Sequence, residues 1–467
     1  MDQQPFIRLS PRKKYVTIFC ALAMFPAIAM IPVFAMGVAR PLLLQGMGAM
    51  RYYAVTACLP NAVSAVFTCV GGALGDRWGR RNAAVAGFAL SALALGASFL
   101  FAQKSLFAGF FAAFVICTAA NGLVSGTMYA IIADVTAPGE RPKWMALTAT
   151  SYTFAAFAGP LLGGYVSDRM APEYILLFNI PFCVLLALLL GLNFENRAAG
   201  ARSRMDLMGI LLLTLCLVPL LTLLSLGGNS IAWLSVPGLL LGAAAATGGV
   251  LLFRWELKKA EAPVLPLSLF RYGSYAKAIY VYLLLGSFTA VSSAYVPLMA
   301  QKGLGVSATV SGFISAPKAA FAFLLPAFVG RWLVKPGNML LRAKRAMLLA
   351  ICICVSGFLF CLFLAHTPLG VVSLFMAVTA GGIFDTLYKS VRQPFMQAEI
   401  PPEKAGISQS TYVTMGYLGA ALFGGVYGAI LGACENDIYA AFPAMMLLSA
   451  ALGTVALLVA RSIRTDL

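Results

Sequence analysis

Asp385, Lys389 and Arg392 stand in one long apolar stretch, residues 369–399, at relative positions zero, four and seven. At about 100° per residue this spacing places all three on one face of a helix. Lys318 lies near the middle of a second apolar stretch, 309–333. An acid sharing a face with bases, in apolar surroundings, is a proton-exchange group whose affinity is tuned by water access and by its neighbours. Ionised together, the four groups leave a surplus of two positive charges. Such a site favours anionic or zwitterionic ligands. The other reading is a mutually neutralised Asp385–Lys389 pair that only packs helices together. A charge at a bilayer centre costs about 2.5 kcal/mol or more, so either reading requires a partner or a cavity.

The elements that must position these residues are apolar helices. Of the 467 residues, 61% are hydrophobic and 10% charged, against about 25% charged in a soluble domain. That composition excludes soluble enzymes and free nucleic-acid binders. Fourteen runs are long enough to cross a hydrocarbon core about 30 Å thick. They lie at 15–37, 52–75, 83–102, 106–133, 144–167, 174–193, 207–227, 232–254, 276–299, 309–333, 346–366, 369–399, 405–431 and 437–460. Residues 1–37 read as an uncleaved first helix, because the run is too long for a signal peptide and a second span follows. An even count puts both termini on one side. Of 33 Lys and Arg, 25 fall on that side, five on the other and three inside spans. The bias marks the first side as cytoplasmic and accounts for the net charge of +17 without a nucleic-acid partner. The expected location is the plasma (inner) membrane, with the lipid bilayer as a partner.

The chain resembles itself at a separation near 260. ADVTAPGER (133–141) faces AEIPPEK (398–404), each with an acid, Asp134 or Glu399, before a Pro-containing turn. AGPLLGG (158–164) faces GAALFGG (419–425). Two six-helix halves, 1–195 and 276–467, would flank a central segment, 196–275, holding two extra helices and a linker. Duplicated halves around a shared site suit alternating access.

Between the second and third runs stands Gly72-Ala-Leu74-Gly-Asp76-Arg77-Trp-Gly79-Arg80-Arg81. Glycine permits a tight turn at a helix end, and Asp76 can meet a helix N-terminus or the nearby arginines. With Asp134, this cluster is a cytoplasmic latch. In the fifth run, Pro160 removes a backbone hydrogen bond, while Gly159, Gly163 and Gly164 permit close helix approach.

The loop resembles the signature of the major facilitator superfamily, and the fifth-run Gly159-Pro160-Leu-Leu-Gly163-Gly164 is similar to the antiporter motif of its exporter branches. Fourteen spans, with the stretch around 265–330, resemble the drug:proton antiporter subfamily of the EmrB/QacA type. The resemblance implies an all-α membrane protein with the major facilitator fold. It implies proton-coupled export of small, partly lipophilic molecules by rocking of the halves, usually lipophilic cations, whereas the surplus positive charge of the midspan residues favours anionic ones. Asp385 is then the coupling group. The subfamily's first-span acid is missing from YVTIFCALAMFPAIAMIPVFAMG, and its fourth-span arginine is missing from CTAANGLVSG, where Thr118 stands.

On spans that line the pore in that family, Asn61, Asn121, Tyr152, Gln393, Gln409 and Tyr412 join Lys318, Lys389 and Arg392 as substrate-cavity candidates. Each of the six is also readable as a hydrogen-bonded packing residue. No cofactor is implied beyond a proton gradient, and no G-x-x-x-x-G-K-[ST] motif supports ATP-driven pumping. The ten cysteines are scattered without metal-site spacing, and the single histidine, His366, reads as an interfacial residue. No nucleophile–base–acid set is visible, so no enzyme and no metal are expected. The expected partners are a small-molecule substrate and an accessory efflux protein, with the transporter itself a monomer. The rivals are a proton-coupled importer of an organic anion, such as a siderophore or carboxylate, and a non-transporting receptor on a transporter fold.

Overall fold

A computed structural model describes residues 10–20, 25–135, 141–195, 206–227, 231–258, 267–333, 338–400 and 405–463. Among these residues, helices form every regular element. The first run gives α1 (Pro11–Phe19) and α2 (Phe25–Gly46), followed by α3 (Tyr53–Trp78), α4 (Arg80–Gln103), α5 (Phe107–Val135) and α6 (Arg141–Arg169). Then come α7 (Tyr174–Phe178), α8 (Ile180–Asn193), α9 (Leu207–Leu226) and α10 (Val236–Lys258). The remainder are α11 (Gly273–Ala290), α12 (Val296–Leu298), α13 (Ala308–Ile314), α14 (Ala316–Leu333), α15 (Met339–Leu364), α16 (Gly370–Glu399), α17 (Ala405–Ala433) and α18 (Ile438–Arg461). In lipid a helix satisfies its backbone polar groups internally, which is why such apolar runs fold this way.

Eleven helices among the described residues are long and apolar enough to cross a membrane, and Ile31–Gly46 is a shorter apolar helix. That is fewer than the fourteen spans read from the sequence. The expected spans outside these twelve fall on α3 and α6, and both helices include side chains outside the described set.

The chain divides into two compact units: Met1–Met50 with Leu59–Thr214, and Arg51–Cys58 with Leu215–Leu467. The divide runs through α9, inside the stretch that the sequence suggested as a middle segment.

In the first unit α6 lies along α2 because the glycines of α6 leave no side chain between the backbones. A methyl at Gly163 would sit 2.6 Å from the Ala35 carbonyl oxygen, and one at Gly159 would sit 2.6 Å from Phe34 Cβ. The crossing of α3 and α5 works the same way: a methyl at Gly122 would lie 2.6 Å from the Ser64 carbonyl. Thr127 of α5 donates its hydroxyl to the Gly71 carbonyl of α3 (3.2 Å). Phe88, Phe110, Val124, Leu176, Leu186 and Leu190 fill the core beside these crossings.

In the second unit α11 meets α17, where a methyl at Gly286 would lie 2.5 Å from the Gly419 carbonyl carbon. A further cluster joins Tyr53, Tyr295 and Tyr427 edge to face, with centroids 6.1 and 5.7 Å apart. Two π-helical turns, Val291–Tyr295 and Met299–Gly303, flank α12. The two extra helices differ in burial. Most of α10 is exposed, but the end of α9 is packed: Leu221 and Ser225 are buried, and Gly425 and Gly428 of α17 admit Leu224 and Ser225. Cys58 and Ser225 share a hydrogen bond of 2.9 Å.

Candidate coupling and binding site

The site is built on α16, a 30-residue helix with Asp385 near its middle. Gly382 decides what faces it. A methyl there would lie 2.6 Å from Lys318 Cα and 2.9 Å from Lys318 Cβ, so α14 crosses α16 with Lys318 at the contact. One turn along, Lys389 Nζ donates to Asp385 Oδ2 at 2.8 Å. Lys318 lies within electrostatic reach of both Asp385 and Lys389, and Cys354 of α15 within reach of Asp385 and Lys318. The i,i+4 pair was legible in the sequence. The crossing that brings Lys318 to it was not, because it depends on tertiary packing at a glycine. Asp385 is 24% exposed and Lys389 42%, so the pair is not enclosed in the protein core.

Beside the pair stands a tyrosine stack that the sequence suggested only in part. The rings of Tyr282 (α11) and Tyr412 (α17) are 4.3 Å apart and 14° from parallel. Tyr282 and Tyr388 are 5.4 Å apart and 2° from parallel. Tyr412 and Tyr388 are buried, and the Tyr388 hydroxyl donates to the Ala278 carbonyl (2.6 Å). Tyr282 is half-buried. Gly416 makes room for its ring, since a methyl there would overlap the Tyr282 edge.

Three of the other cavity candidates, Asn61, Asn121 and Tyr152, lie in the first unit. Asn121 is buried in the first unit and accepts a hydrogen bond from Ser91 (3.0 Å), tying α5 to α4. Tyr152 is 38% exposed and meets Phe34 edge to face at 5.5 Å. Asn61 is half-buried on α3. The side chains of Arg392, Gln393 and Gln409 lie outside the described residues, on the backbones of α16 and α17.

The latch loop is a single residue. α3 ends at Trp78, α4 begins at Arg80, and Gly79 between them has φ +87°. That left-handed conformation is open to glycine at little cost. Arg77 is exposed, while Leu74, Arg80 and Arg81 are half-buried. The side chains of Asp76 and Asp134, and Gly72, lie outside the described residues. Of the span-five motif, Gly159 and Gly163 face α2 as described, Pro160 sits inside an unbroken α6, and Gly164 is buried.

A helix-capping device in the second unit went unassigned in the sequence. Glu399, at the end of α16, accepts hydrogen bonds from the backbone N–H groups of Ser274 (2.9 Å to Oε2) and Tyr275 (3.3 Å), capping α11. A carboxylate at a helix N-terminus satisfies donors that have no partner within the helix. The signal available was an acid closing a long span before a Pro-containing turn.

Long apolar helices crossing at glycines, with a charged pair midway along one of them, define a multi-pass helical membrane architecture. The chain belongs to the Major Facilitator Superfamily, whose family model matches residues 16–424. It is 26% identical over 410 residues to "Multidrug transporter protein MdtP" of Bacillus subtilis (strain 168), covering 86% of this chain and 72% of that one. It is 25% identical over 433 residues to "Uncharacterized MFS-type transporter Rv1877" of Mycobacterium tuberculosis (strain ATCC 25618 / H37Rv). That match covers 90% of this chain but 60% of the relative, so the chain spans about three fifths of the mycobacterial protein. The fold is similar to the crystal structure of a POT family transporter in complex with 5-aminolevulinic acid, with TM-score 0.70, 15% identity and coverage of 98% and 99% of the two chains. The chain is thus a multi-pass membrane transporter with multidrug-transporter relatives at low identity.

Proposed function

We propose that this chain is a proton-coupled secondary exporter of small, partly lipophilic molecules, drugs or metabolites, working by alternating access. In this reading it crosses the inner membrane fourteen times with both termini cytoplasmic. It draws on a proton gradient without a cofactor, and acts as a monomer with an accessory efflux protein as partner. The observation that carries the reading is Asp385, held 2.8 Å from Lys389 midway along α16 with Lys318 at the facing crossing. A partly exposed acid beside a base can take and release a proton, which a fully enclosed structural pair cannot. The export direction is supported by the Gly159–Gly164 motif and by the multidrug names of the relatives.

A second reading, proton-coupled uptake of an organic anion, is favoured by the two lysines around the single acid. The test of both is collapse of a pH gradient in energised inside-out vesicles, using a panel of lipophilic cations and organic anions, with Asp385→Asn beside the wild type. Substrate-induced proton release in the wild type and not in the variant is the expected result. Equal release in both would overturn the role of Asp385. No proton movement with any substrate, in correctly inserted protein, would overturn proton-coupled export of these classes.

A further inference from the structure

We infer that the ends of α11, α15 and α18 in the second unit form a binding site for the headgroup of an anionic phospholipid, with Arg345 and Arg461 as the residues that take its phosphate. The inference stands apart from the transport reading and needs only that the chain spans a bilayer.

Three helices bring four bases to one place. α18 ends at Arg461, and the two carbonyls that follow each receive a lysine from a different helix. Lys277 of α11 donates to Ser462 (2.7 Å), and Lys344 of α15 donates to Ile463 (2.8 Å). Both lysines are half-buried, whereas Arg345 and Arg461, their neighbours in this cluster, are exposed. A backbone carbonyl engages an ammonium without cancelling its charge. Glu399, the acid at this end of α11, is already held by the amides of Ser274 and Tyr275. Like charges gathered at one helix end repel, and a bound anion offsets that repulsion. The placement on α15 adds to the demand. A helix N-terminus favours acids, yet the first turn of α15 has none, and Lys344 and Arg345 stand in its second turn.

The depth suits a lipid phosphate. Helices α15 and α18 are both long and apolar enough to cross a membrane. Arg345 is six residues inside the start of α15, about 9 Å along the axis. An exposed arginine at that level lays its stem along the helix and places its guanidinium among headgroups. The two helices that carry the arginines are packed together, since a methyl at Gly453 of α18 would lie 2.5 Å from Val355 Cγ2 of α15. Arg345 is ten residues from that contact and Arg461 eight, so both stand about 12–15 Å from it, toward the same end.

The neighbouring side chains supply the apolar part of the site. Leu349, four residues after Arg345, is 58% exposed, and Leu458, three before Arg461, is 60% exposed. Residues three and four apart share a helix face. Each arginine therefore caps an exposed apolar strip on its own helix. The guanidinium fork matches phosphate oxygens, and the strips below it match acyl chains. A soluble anion would use the charge and leave the leucines idle, which is why the ligand assigned is a lipid.

The test uses the full chain in detergent, with phosphatidylglycerol and phosphatidylcholine of equal chain length as probes, and native mass spectrometry to count bound lipids. Wild type is compared with Arg345→Gln/Arg461→Gln and with Arg254→Gln/Lys258→Gln, which removes the same charge from exposed residues at the end of α10. Melts without lipid establish folding, and the single arginine variants stand in if the double variant does not fold. Wild type should retain phosphatidylglycerol in preference to phosphatidylcholine. Each arginine should be worth about fivefold in affinity, so the double variant should bind phosphatidylglycerol about thirtyfold more weakly, with the α10 variant within about twofold of wild type. Phosphatidylglycerol should also raise the melting temperature of wild type and of the α10 variant, and not that of the double arginine variant. Equal loss in the two double variants would mean diffuse surface charge and would overturn the site, as would a wild type without preference for phosphatidylglycerol. If glycerol 3-phosphate raises the melting temperature as much as the lipid does, the site takes a soluble anion and the lipid assignment fails.

Discussion

The two units use the same crossing device to different ends. In the first, α3 and α5 approach at Gly122, and the residue beneath it is Ser64. In the second, α14 and α16 approach at Gly382, and the residue beneath it is Lys318. The α6-on-α2 contact through Gly159 and Gly163 likewise has a counterpart in α17 on α11 through Gly419 and Gly286. The packing skeleton is shared and the acid–base pair is not. The described part of α2 in the first unit contains no acid, and Asn121 there is engaged by Ser91. Small residues at crossings are dictated by backbone approach, which both units need. Charge is placed only where a task requires it, because it is costly inside a membrane.

The largest effect that can break this comparison comes from filling the two crossings. Gly122→Val and Gly382→Val each drive a side chain into a facing helix, and overpacking of this kind costs about 1–3 kcal/mol. Both variants should melt at lower temperature in detergent. Only Gly382→Val should also reduce proton-coupled flux, by about tenfold or more, because it displaces Lys318 from the Asp385 pair. Equal loss of coupling per folded molecule in both variants would show that the coupling site is not confined to the second unit.

The motifs themselves show which parts of this were legible in advance. Run lengths and the Gly-rich stretches were readable because helix spanning and close backbone approach are properties of single segments. The Asp385–Lys389 pair was readable because i,i+4 neighbours are fixed by helix geometry alone. Lys318 was visible as a midspan charge, but its position opposite Gly382 is a contact between segments far apart in sequence. Tyr282 and Tyr388 were passed over because a tyrosine in a greasy helix carries no sign of its partners. Asn121 looked available for a substrate, but its buried bond to Ser91 is a property of the folded pair of helices.

A second asymmetry is Pro160 in α6, matched by Ala421 in the repeat of α17. Ala421→Pro should cost about 3 kcal/mol, since proline inside a helix removes a hydrogen bond and clashes with the preceding turn. Pro160→Ala should leave the fold intact, with a melting temperature equal to or above the wild type. It should raise passive proton leak in vesicles severalfold if Pro160 helps to close the first unit. A large loss of stability in Pro160→Ala would show that Pro160 is a packing requirement of α6 on α2, and the motif would then say nothing about export.

The next effect down concerns Glu399, whose carboxylate caps α11. Glu399→Gln keeps the shape and removes the charge, so it should cost about 1.5 kcal/mol, the scale of a hydrogen bond to a charged group. Hydrogen exchange reads this locally: the Ser274 and Tyr275 amides should exchange about tenfold faster, with α4 amides in the first unit unchanged. Unchanged protection at both amides would mean that the cap contributes nothing to holding the end of α16 on α11.

The smallest effect lies at the same end of the second unit. Lys277 donates to the Ser462 carbonyl (2.7 Å) and Lys344 to the Ile463 carbonyl (2.8 Å), so two lysines close the C-terminal end of α18. Cations at a helix C-terminus contribute about 0.3–1 kcal/mol each. Lys344→Ala should therefore lower stability by about half a kcal/mol, and Lys277→Ala by a similar amount. Arginine at either position should retain most of the effect, because it keeps both the charge and a donor. The carbonyls are 119 and 185 residues from their lysines, so these contacts hold the last helix against the two that begin near it, α11 and α15. If the double alanine variant loses no more than one single variant, the two lysines act as one unit, and the clamp rather than each charge is the stabilising element.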